Sequence, residues 1–280
     1  MMTETPVNLL AAIQMASGPN VTANLSEASR LIGEAAAAGA KLVVLPENFA
    51  LMGMEEADKL SVAEADGEGP LQDFLADQAR RNRLWLVGGT IPLKSSEPGR
   101  VYGSCLVYND QGERVARYDK IHLFDVQLPD ADESYHESET TMPGESPVVV
   151  DTPFGRLGIA VCYDLRFPEL FRGMMDQGMD LLALPAAFTA ITGRAHWEAL
   201  IRARAIENQI YLVAAAQGGD HVNGRETHGD SMVVDPWGQV LDRLARGSGV
   251  VLGELRGERI ASIRRSFPSL QHRRLSCAIR

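Results

Sequence analysis

The chain has 280 residues, a formal net charge of −10 and a calculated pI near 5.1. An acidic surface repels phosphate backbones, and no basic stripe of the kind that nucleic-acid binding needs is present. Nucleic acid is therefore excluded as a partner. Without a linker or an internal repeat, we expect one domain over residues 1–280, with 264–280 as a C-terminal tail.

The sequence predicts no membrane segment. No Lys or Arg precedes Arg30, so the charged start of a signal peptide is missing. The most apolar later stretch, 181–191, is too short to span a bilayer and contains Pro185. Three cysteines, an odd number in a chain that does not need disulfides, suit a reducing compartment. We expect a cytoplasmic protein.

The first part of the chain alternates between strand and helix patterns. A β-α-β opening argues for an α/β class whose central strands are covered by helices. A turn-rich connection at 109–112 predicts an antiparallel hairpin, which would make the sheet mixed. The predicted elements are strand 7–15, helix 25–38, strand 42–45, helix 71–80, strand 84–91 and hairpin strands 102–108 and 113–118.

The second part repeats this alternation after residues 125–147, which lack hydrophobic periodicity and are long enough to predict a functional loop. The pairs Gly88-Gly89 and Gly218-Gly219 are interpreted as turns. The predicted elements that follow are hairpin strands 148–151 and 156–161, helix 167–177, strand 181–184, helix 195–207, strand 210–216 and hairpin strands 232–235 and 239–241.

Cys162 is predicted at a strand-to-helix elbow. An apolar run stops at this residue, and a charged segment with helical spacing follows. Such an elbow exposes a nucleophile and leaves backbone N–H groups, here that of Tyr163, free to bind an oxyanion. A small buried hydrophobic residue is the simpler interpretation of a lone cysteine.

Two further strand-like segments end in ionisable residues, Glu47 and Lys120, and ligands of open α/β sheets bind at such ends. Residues 45–49, 118–125 and 158–169 together resemble the nitrilase superfamily of carbon–nitrogen hydrolases, and the resemblance runs from about residue 7 to about 274. It implies a four-layer α-β-β-α sandwich with mixed sheets. Periodicity alone does not show that architecture.

These residue types suit amide hydrolysis without a cofactor. Glu47 can take the thiol proton, pass it to the leaving nitrogen and later activate water, while Cys162 forms an acyl-thioester. Lys120 and the Tyr163 N–H can stabilise the oxyanion. Glu137 matches the family's second glutamate, which orients the lysine and contacts substrate. The sequence suggests neither a metal site nor a nucleotide loop.

Several alternatives remain open at this point. Glu47, Lys120 and Glu137 could each be solvated charges, and Arg166 could bind a substrate carboxylate or form a salt bridge to Asp164 or Glu169. A Cys–His mechanism with His122 is the rival chemistry. A binding module that kept the fold but lost catalysis is the rival class.

Substrate and assembly follow from the resemblance. Segments 192–207, 211–217 and 231–238 look most like the branch that hydrolyses deaminated glutathione to 2-oxoglutarate and cysteinylglycine. The ω-amidase branch, which acts on α-ketoglutaramate, is second because its counterpart of 215–217 differs. The substrate is expected to be a small, anionic amide.

Family members commonly associate, so we expect a homodimer or larger, with the basic segment 264–274 either solvated or packed on a partner.

Overall fold

A computed structural model describes residues 8–128 and 133–276. Its helices are α1 Val21–Ala37, α2 Pro70–Asn82, α3 Pro168–Asp176, α4 Ala190–Asn208 and α5 Gly257–Ser266, with 3₁₀ turns at Glu56–Val62, Glu137–Glu139 and Cys162–Arg166. Its strands are β1 Asn8–Gln14, β2 Ala40–Val44, β3 Trp85–Val87, β4 Ile91–Lys94, β5 Val101–Tyr108, β6 Arg114–Asp119, β7 Asp125–Gln127, β8 Ser134–His136, β9 Thr141–Met142, β10 Val148–Thr152, β11 Gly155–Ile159, β12 Leu181–Ala186, β13 Tyr211–Ala216, β14 Gly218–Asp220, β15 Glu226–His228, β16 Ser231–Val234, β17 Val240–Leu244 and β18 Gly249–Leu255.

Two large mixed sheets form the centre of the fold. The first has the order β18-β1-β2-β3-β5-β4, with β6 and β9 also paired to β5, and the second has the order β10-β11-β12-β13-β16-β17. Strands β1, β2 and β3 are mutually parallel, as are β11, β12 and β13, because helices provide the crossovers between them. Hairpins add the antiparallel strands, so the predicted mixed character is confirmed.

The layers follow from the two-residue period of the strands. In β1, Ala11 and Ile13 belong to the core under α1 and α2, whereas Leu10 and Ala12 belong to the core shared with the second sheet. The outer face of the second sheet is covered by α3 and α4, and Trp197 of α4 is fully buried there. The order helix, sheet, sheet, helix is the predicted four-layer sandwich.

Side-chain caps set the starts of two helices earlier than the hydrophobic pattern suggested. Asn20 accepts a hydrogen bond from the Ala23 N–H at 3.1 Å, so α1 begins at Val21 rather than at the predicted residue 25. Thr189 accepts one from the Thr192 N–H at 3.3 Å, and α4 begins at Ala190 rather than at 195.

The predicted strand 84–91 is wrong in one respect, because it is two strands, β3 and β4, separated at Gly88 and Gly89. Gly89 has φ +59°, and a Cβ there would lie 2.2 Å from the Pro46 carbonyl oxygen. A glycine is therefore needed for the chain to turn this close to the loop that holds Glu47.

Two irregular regions contain more structure than predicted. Strands β7 and β8 pair within the predicted loop 125–147, and a 3₁₀ turn follows at Glu137–Glu139. Residues 129–132 of that loop lie outside the described part. Gly218-Gly219, predicted to be a turn, instead belongs to β14, which pairs with β15.

The C-terminal region is also more ordered than a tail. The predicted boundary at 264 falls inside α5, and the preceding strand β18, which sequence patterns missed, pairs with β1 along its whole length. Arg264 donates to Asp180 at 2.7 Å, and Arg273 donates to Asp176 at 3.0 Å. These two basic side chains are neither fully solvated nor directed to a partner, since they pair within the chain.

Candidate active site

The ends of strands from both sheets meet at one buried cavity. Glu47 follows β2 and Lys120 follows β6 of the first sheet, whereas Cys162 follows β11 of the second. All three side chains are buried, with Lys120 only 2% exposed. The three predicted residues therefore lie together at the point where the two sheets face each other.

Lys120 is bonded to two carboxylates at once. Its Nζ lies 2.8 Å from Glu47 Oε1 and 2.8 and 3.0 Å from the two oxygens of Glu137. Burial opposes the charge, but Glu137 and Glu47 outweigh it and raise the pKa of Lys120 well above its ordinary value. Lys120 is thus a fixed positive charge and cannot serve as a base near neutral pH.

Glu137 is held by the backbone as well as by the lysine. It begins the 3₁₀ turn after β8, and its Oε2 accepts a hydrogen bond from the Phe124 N–H at 2.7 Å. Burial favours the neutral acid, but Lys120 outweighs burial and lowers the pKa of the Glu137 carboxyl group below its ordinary value. An ionised Glu137 fixes the position of the Lys120 ammonium group.

Cys162 lies in an unusual backbone conformation at the predicted elbow. Its φ is +49°, in the left-handed region that non-glycine residues rarely adopt. Burial, and next the Glu47 carboxylate, raise the pKa of the thiol well above its ordinary value, although Lys120 acts in the opposite direction. The resting thiol is protonated, so attack requires that a neighbouring base remove the proton.

The 3₁₀ turn that begins at Cys162 also contains the backbone N–H that was predicted as a donor. Its first internal hydrogen bond runs from the Asp164 N–H to the Val161 carbonyl at 3.0 Å. The N–H of Tyr163 precedes this bond, in the position where the first N–H groups of a helical turn lack internal partners. It is placed to serve as the predicted oxyanion donor.

His122 is engaged by Asp164 rather than by Cys162. Its Nδ1 lies 2.7 Å from Asp164 Oδ1, its backbone N–H donates to the same oxygen at 3.1 Å, and its ring stacks on Phe167 at 3.6 Å. Asp164 also accepts from the Tyr118 hydroxyl at 2.7 Å. Because His122 does not line the cavity, this geometry disfavours the Cys–His alternative.

A buried glutamine, missed as a site residue by sequence reasoning, supports the Glu47 loop. Gln217 is 0% exposed; its Nε2 donates to the Glu47 carbonyl at 3.0 Å and to Ser17 Oγ at 2.8 Å, and its Oε1 accepts from the Ser17 N–H at 2.9 Å. Residues 215–217 were predicted only to distinguish family branches. The structure shows that Gln217 connects the loops after β1, β2 and β13.

Four cations line the cavity, Lys59, Lys120, Arg166 and Arg225. Arg166 lies over the ring of Phe188 at 5.1 Å and that of Tyr163 at 5.9 Å, and its Nη1 lies 3.1 Å from His196 Nδ1. The predicted alternative, a salt bridge to Asp164 or Glu169, is not formed within the described residues. The charged and aromatic lining residues are Glu47, Glu56, Glu137, Lys59, Lys120, Arg166, Arg225, His136, Phe124, Tyr135, Tyr163 and Phe188.

Several of these lining residues have no signal in the sequence. Lys59 bonds to Glu56 within one 3₁₀ turn, and Arg225 lies over the ring of Tyr135 at 5.2 Å. They come from three distant segments, and each would be interpreted alone as a surface charge. Only the folded chain brings them to the cavity.

Within residues 8–128 and 133–276, no group of three His, Cys, Asp or Glu side chains is arranged to hold a metal ion. No helix in that part is long and apolar enough to cross a membrane.

The fold and the cavity together define a hydrolase of carbon–nitrogen bonds. The family model described as carbon-nitrogen hydrolase matches residues 9–265, and the chain belongs to this family. It is 45% identical to a deaminated glutathione amidase of Synechocystis over 95% of this chain and 97% of that protein.

Solved structures show the same architecture. Saccharomyces cerevisiae Nit3, a member of branch 10 of the nitrilase superfamily, superposes with a TM-score of 0.87 at 32% identity, over 97% of this chain and 98% of that one. The C. elegans NitFhit protein gives a TM-score of 0.85 at 36% identity over 97% of this chain. The chain spans 66% of the length of NitFhit.

Proposed function

We propose that this amidase hydrolyses deaminated glutathione to 2-oxoglutarate and cysteinylglycine through an acyl-thioester on Cys162. The supporting observation is a single cavity in which Glu47, Lys120 and Cys162 lie beside the Arg166 guanidinium group. The 45% identity to a protein of that name supports the choice of substrate.

The first half-reaction transfers the acyl group to sulfur. Glu47 takes the Cys162 proton as sulfur attacks the amide carbon, and the Lys120 ammonium group and the Tyr163 N–H stabilise the oxyanion that forms. Glu47 then gives its proton to the amide nitrogen, the C–N bond breaks, and cysteinylglycine leaves. The ion pair with Glu137 keeps the Lys120 ammonium group in place during both steps.

The second half-reaction uses the same carboxylate. Glu47 accepts a proton from water as the oxygen attacks the thioester carbon, and the C–S bond breaks to release 2-oxoglutarate. The leaving sulfur regains the proton from Glu47. One base therefore serves both halves, which agrees with the high pKa of Cys162, since the thiol needs a neighbouring base to ionise.

Arg166 is assigned to the acyl end of the substrate. A planar guanidinium group can bind a carboxylate through two parallel hydrogen bonds, and the α-keto acid end of the substrate provides that carboxylate. With a net charge of −10, the protein would otherwise repel an anionic substrate. A fixed cation inside the cavity offsets that repulsion locally.

One set of kinetic measurements tests the substrate. We expect kcat/KM for deaminated glutathione to exceed that for α-ketoglutaramate, a simple nitrile and an N-carbamoyl amino acid. If one of the other compounds is favoured by tenfold, about 1.4 kcal/mol in transition-state binding, the assignment is wrong. An intact-mass search for the acyl adduct separates an enzyme from a binding module, because a binder forms no thioester.

Three broader properties complete the proposal. Residues 1–280 are proposed to act as one catalytic domain, in the cytoplasm, where the free thiols of Cys105 and Cys162 would stay reduced.

The chain is proposed to form a homodimer or larger assembly. Its support is the exposure of Trp237, Phe267 and Ile206, at 58%, 55% and 47%, on neighbouring segments.

A further inference from the structure

Arg225 lies at the mouth of the active-site cavity, immediately before β15. Its Nη2 donates to the Ala187 carbonyl at 2.7 Å, and its guanidinium group lies over the ring of Tyr135 at 5.2 Å. Its Nε is buried and has no hydrogen-bond partner among the described residues. Nη1 has no hydrogen-bond partner among the described residues either, but it is not enclosed as Nε is, so it is the nitrogen that a ligand acceptor can reach.

The space around Arg225 continues outward from the catalytic residues. A second cavity shares Arg225, Tyr135 and Lys59 with the first and reaches Asn223 and Met54, and neither Cys162 nor Arg166 lines it. Arg225 thus stands where the catalytic cavity opens into an outer one, and Arg166 stands on the inner side.

Four charged side chains line the outer cavity, the cations Lys59 and Arg225 and the carboxylates Glu55 and Glu56. Glu56 is bonded to Lys59, which leaves Arg225 as the cation that an anionic ligand can bind there. Within the described residues, Arg225 forms no ion pair with a carboxylate. A guanidinium group without a carboxylate partner, stacked on an aromatic ring, is a typical carboxylate-binding arrangement.

We propose that Arg225 binds a carboxylate on the leaving amine, so that the enzyme is built for amides whose amine is an anionic, dipeptide-sized group. This inference rests on the proposed function and deepens it. Arg166 holds the acyl end on the inner side, and the leaving amine extends past Arg225 into the outer cavity. A primary amide, whose leaving group is ammonia, makes no use of Arg225.

Three amides with one common acyl group test this assignment. All are 2-oxoglutaryl amides: the first releases cysteinylglycine, the second releases cysteinylglycine with its carboxylate capped as a carboxamide, and the third releases ammonia. The wild-type enzyme, the Arg225→Met variant and an Arg256→Met control are compared by kcat/KM. Arg256 is a matched control because it is an exposed arginine outside the cavity, bonded to Glu254.

We expect Arg225→Met to lower the ratio of kcat/KM for the first amide over the third by about tenfold or more, as the loss of one charge-assisted hydrogen bond implies. In the wild-type enzyme, capping the carboxylate should lower kcat/KM by a similar factor, whereas in Arg225→Met the capped and uncapped amides should have nearly equal kcat/KM. Arg256→Met should leave the relative kcat/KM values of the three amides unchanged. The capped substrate tests the wild-type enzyme directly, even if the variant folds poorly.

An equal loss on all three amides would overturn the inference, because it would mean that Arg225 only supports the Ala187 carbonyl. An unchanged ratio would overturn it as well. If the wild-type enzyme hydrolyses the primary amide but not the first amide, the proposed function and this inference both fail. If it hydrolyses the first amide well and the cap has no effect, only the inference fails.

Discussion

At the scale of single residues, the central feature is one ammonium group shared by two buried carboxylates. Lys120 is within 3.0 Å of oxygens from both Glu47 and Glu137, and all three side chains are largely removed from water. Glu137 therefore holds the ammonium group beside Glu47, at the point where the proposed mechanism needs a cation for the oxyanion.

Replacing Lys120 tests its role against that of His122. Lys120→Ala should lower kcat/KM by about 10²-fold or more, because the oxyanion loses its cation. It should also cost about 3–5 kcal/mol in unfolding free energy, because a buried carboxylate loses its partner. His122→Ala should cost much less in rate. The opposite ranking, measured on variants that retain the wild-type circular dichroism spectrum, would support the Cys–His mechanism.

The ionisation of Cys162 gives a second test. Because the pKa of Cys162 is raised, thiolate absorbance from this residue should not increase as the pH passes through the ordinary thiol value of about 8.5. Cys162→Ala should abolish turnover and keep the fold, whereas Cys105→Ala and Cys277→Ala should remain active. A thiolate titrating near 8.5 that disappears in Cys162→Ala would contradict the need for a neighbouring base.

Glu137 should make the free energy of unfolding depend on pH in the acidic range. Its folded-state pKa is lowered, so its contribution is complete above the unfolded-state pKa of about 4.3 and is lost as the pH falls through the folded value. The stability difference between wild type and Glu137→Gln should therefore shrink as the pH drops below about 4.3. Urea denaturation at several pH values measures it, and a constant difference would refute the assignment.

The sequence identified the residues that lie within short motifs and missed those that act across the fold. Glu47, Lys120, Cys162 and Glu137 each follow a recognisable local segment. The bonds of His122 to Asp164, and of Gln217 to Ser17 and the Glu47 carbonyl, join positions 42, 200 and 170 residues apart. Local patterns contain no information about such pairs.

At the scale of elements, Gln217 shows how strands of different sheets position the loop that holds Glu47. Its side-chain amide bonds to the loops after β1 and β2, although it follows β13 of the second sheet. Gln217→Ala should cost about 1–3 kcal/mol for each buried group left unpaired. It should also lower kcat, because the Glu47 backbone is released.

Gln72 provides the matched control for this prediction. It is equally a buried glutamine with several side-chain hydrogen bonds, among them those to Glu64 and the Ala65 carbonyl, but it does not line the cavity. Gln72→Ala should lower stability, measured by urea denaturation, without changing kcat. Equal effects of both variants on kcat would argue that Gln217 has only a structural role.

Element types were easier to predict than element ends. The alternation of hydrophobic residues gave most of the helices and strands, but Asn20 and Thr189 start helices earlier than the apolar pattern does. Strand β18 was missed because its register is set by β1, more than 200 residues away in the chain. Pairing across that distance is a tertiary property.

At the scale of the whole molecule, assembly is the property most open to measurement. Light scattering at micromolar concentration should give a mass of two chains or more. Trp237→Ser combined with Phe267→Ser should weaken that association, because the pair forms the most exposed apolar contact near the end of α4. A wild-type monomer, or a double variant that associates normally, would contradict the proposed surface.

The division of the proposed catalytic residues between two sheets has a consequence for folding kinetics. Glu47 and Lys120 follow strands of one sheet and Cys162 follows a strand of the other, so under the proposed mechanism neither half of the sandwich can hydrolyse an amide before the two are docked. During refolding, secondary structure and partial burial can be regained early, while turnover reports the final approach of the sheets. The delay between the recovery of the helical circular dichroism signal and the recovery of activity therefore measures the time that the two sheets need to dock.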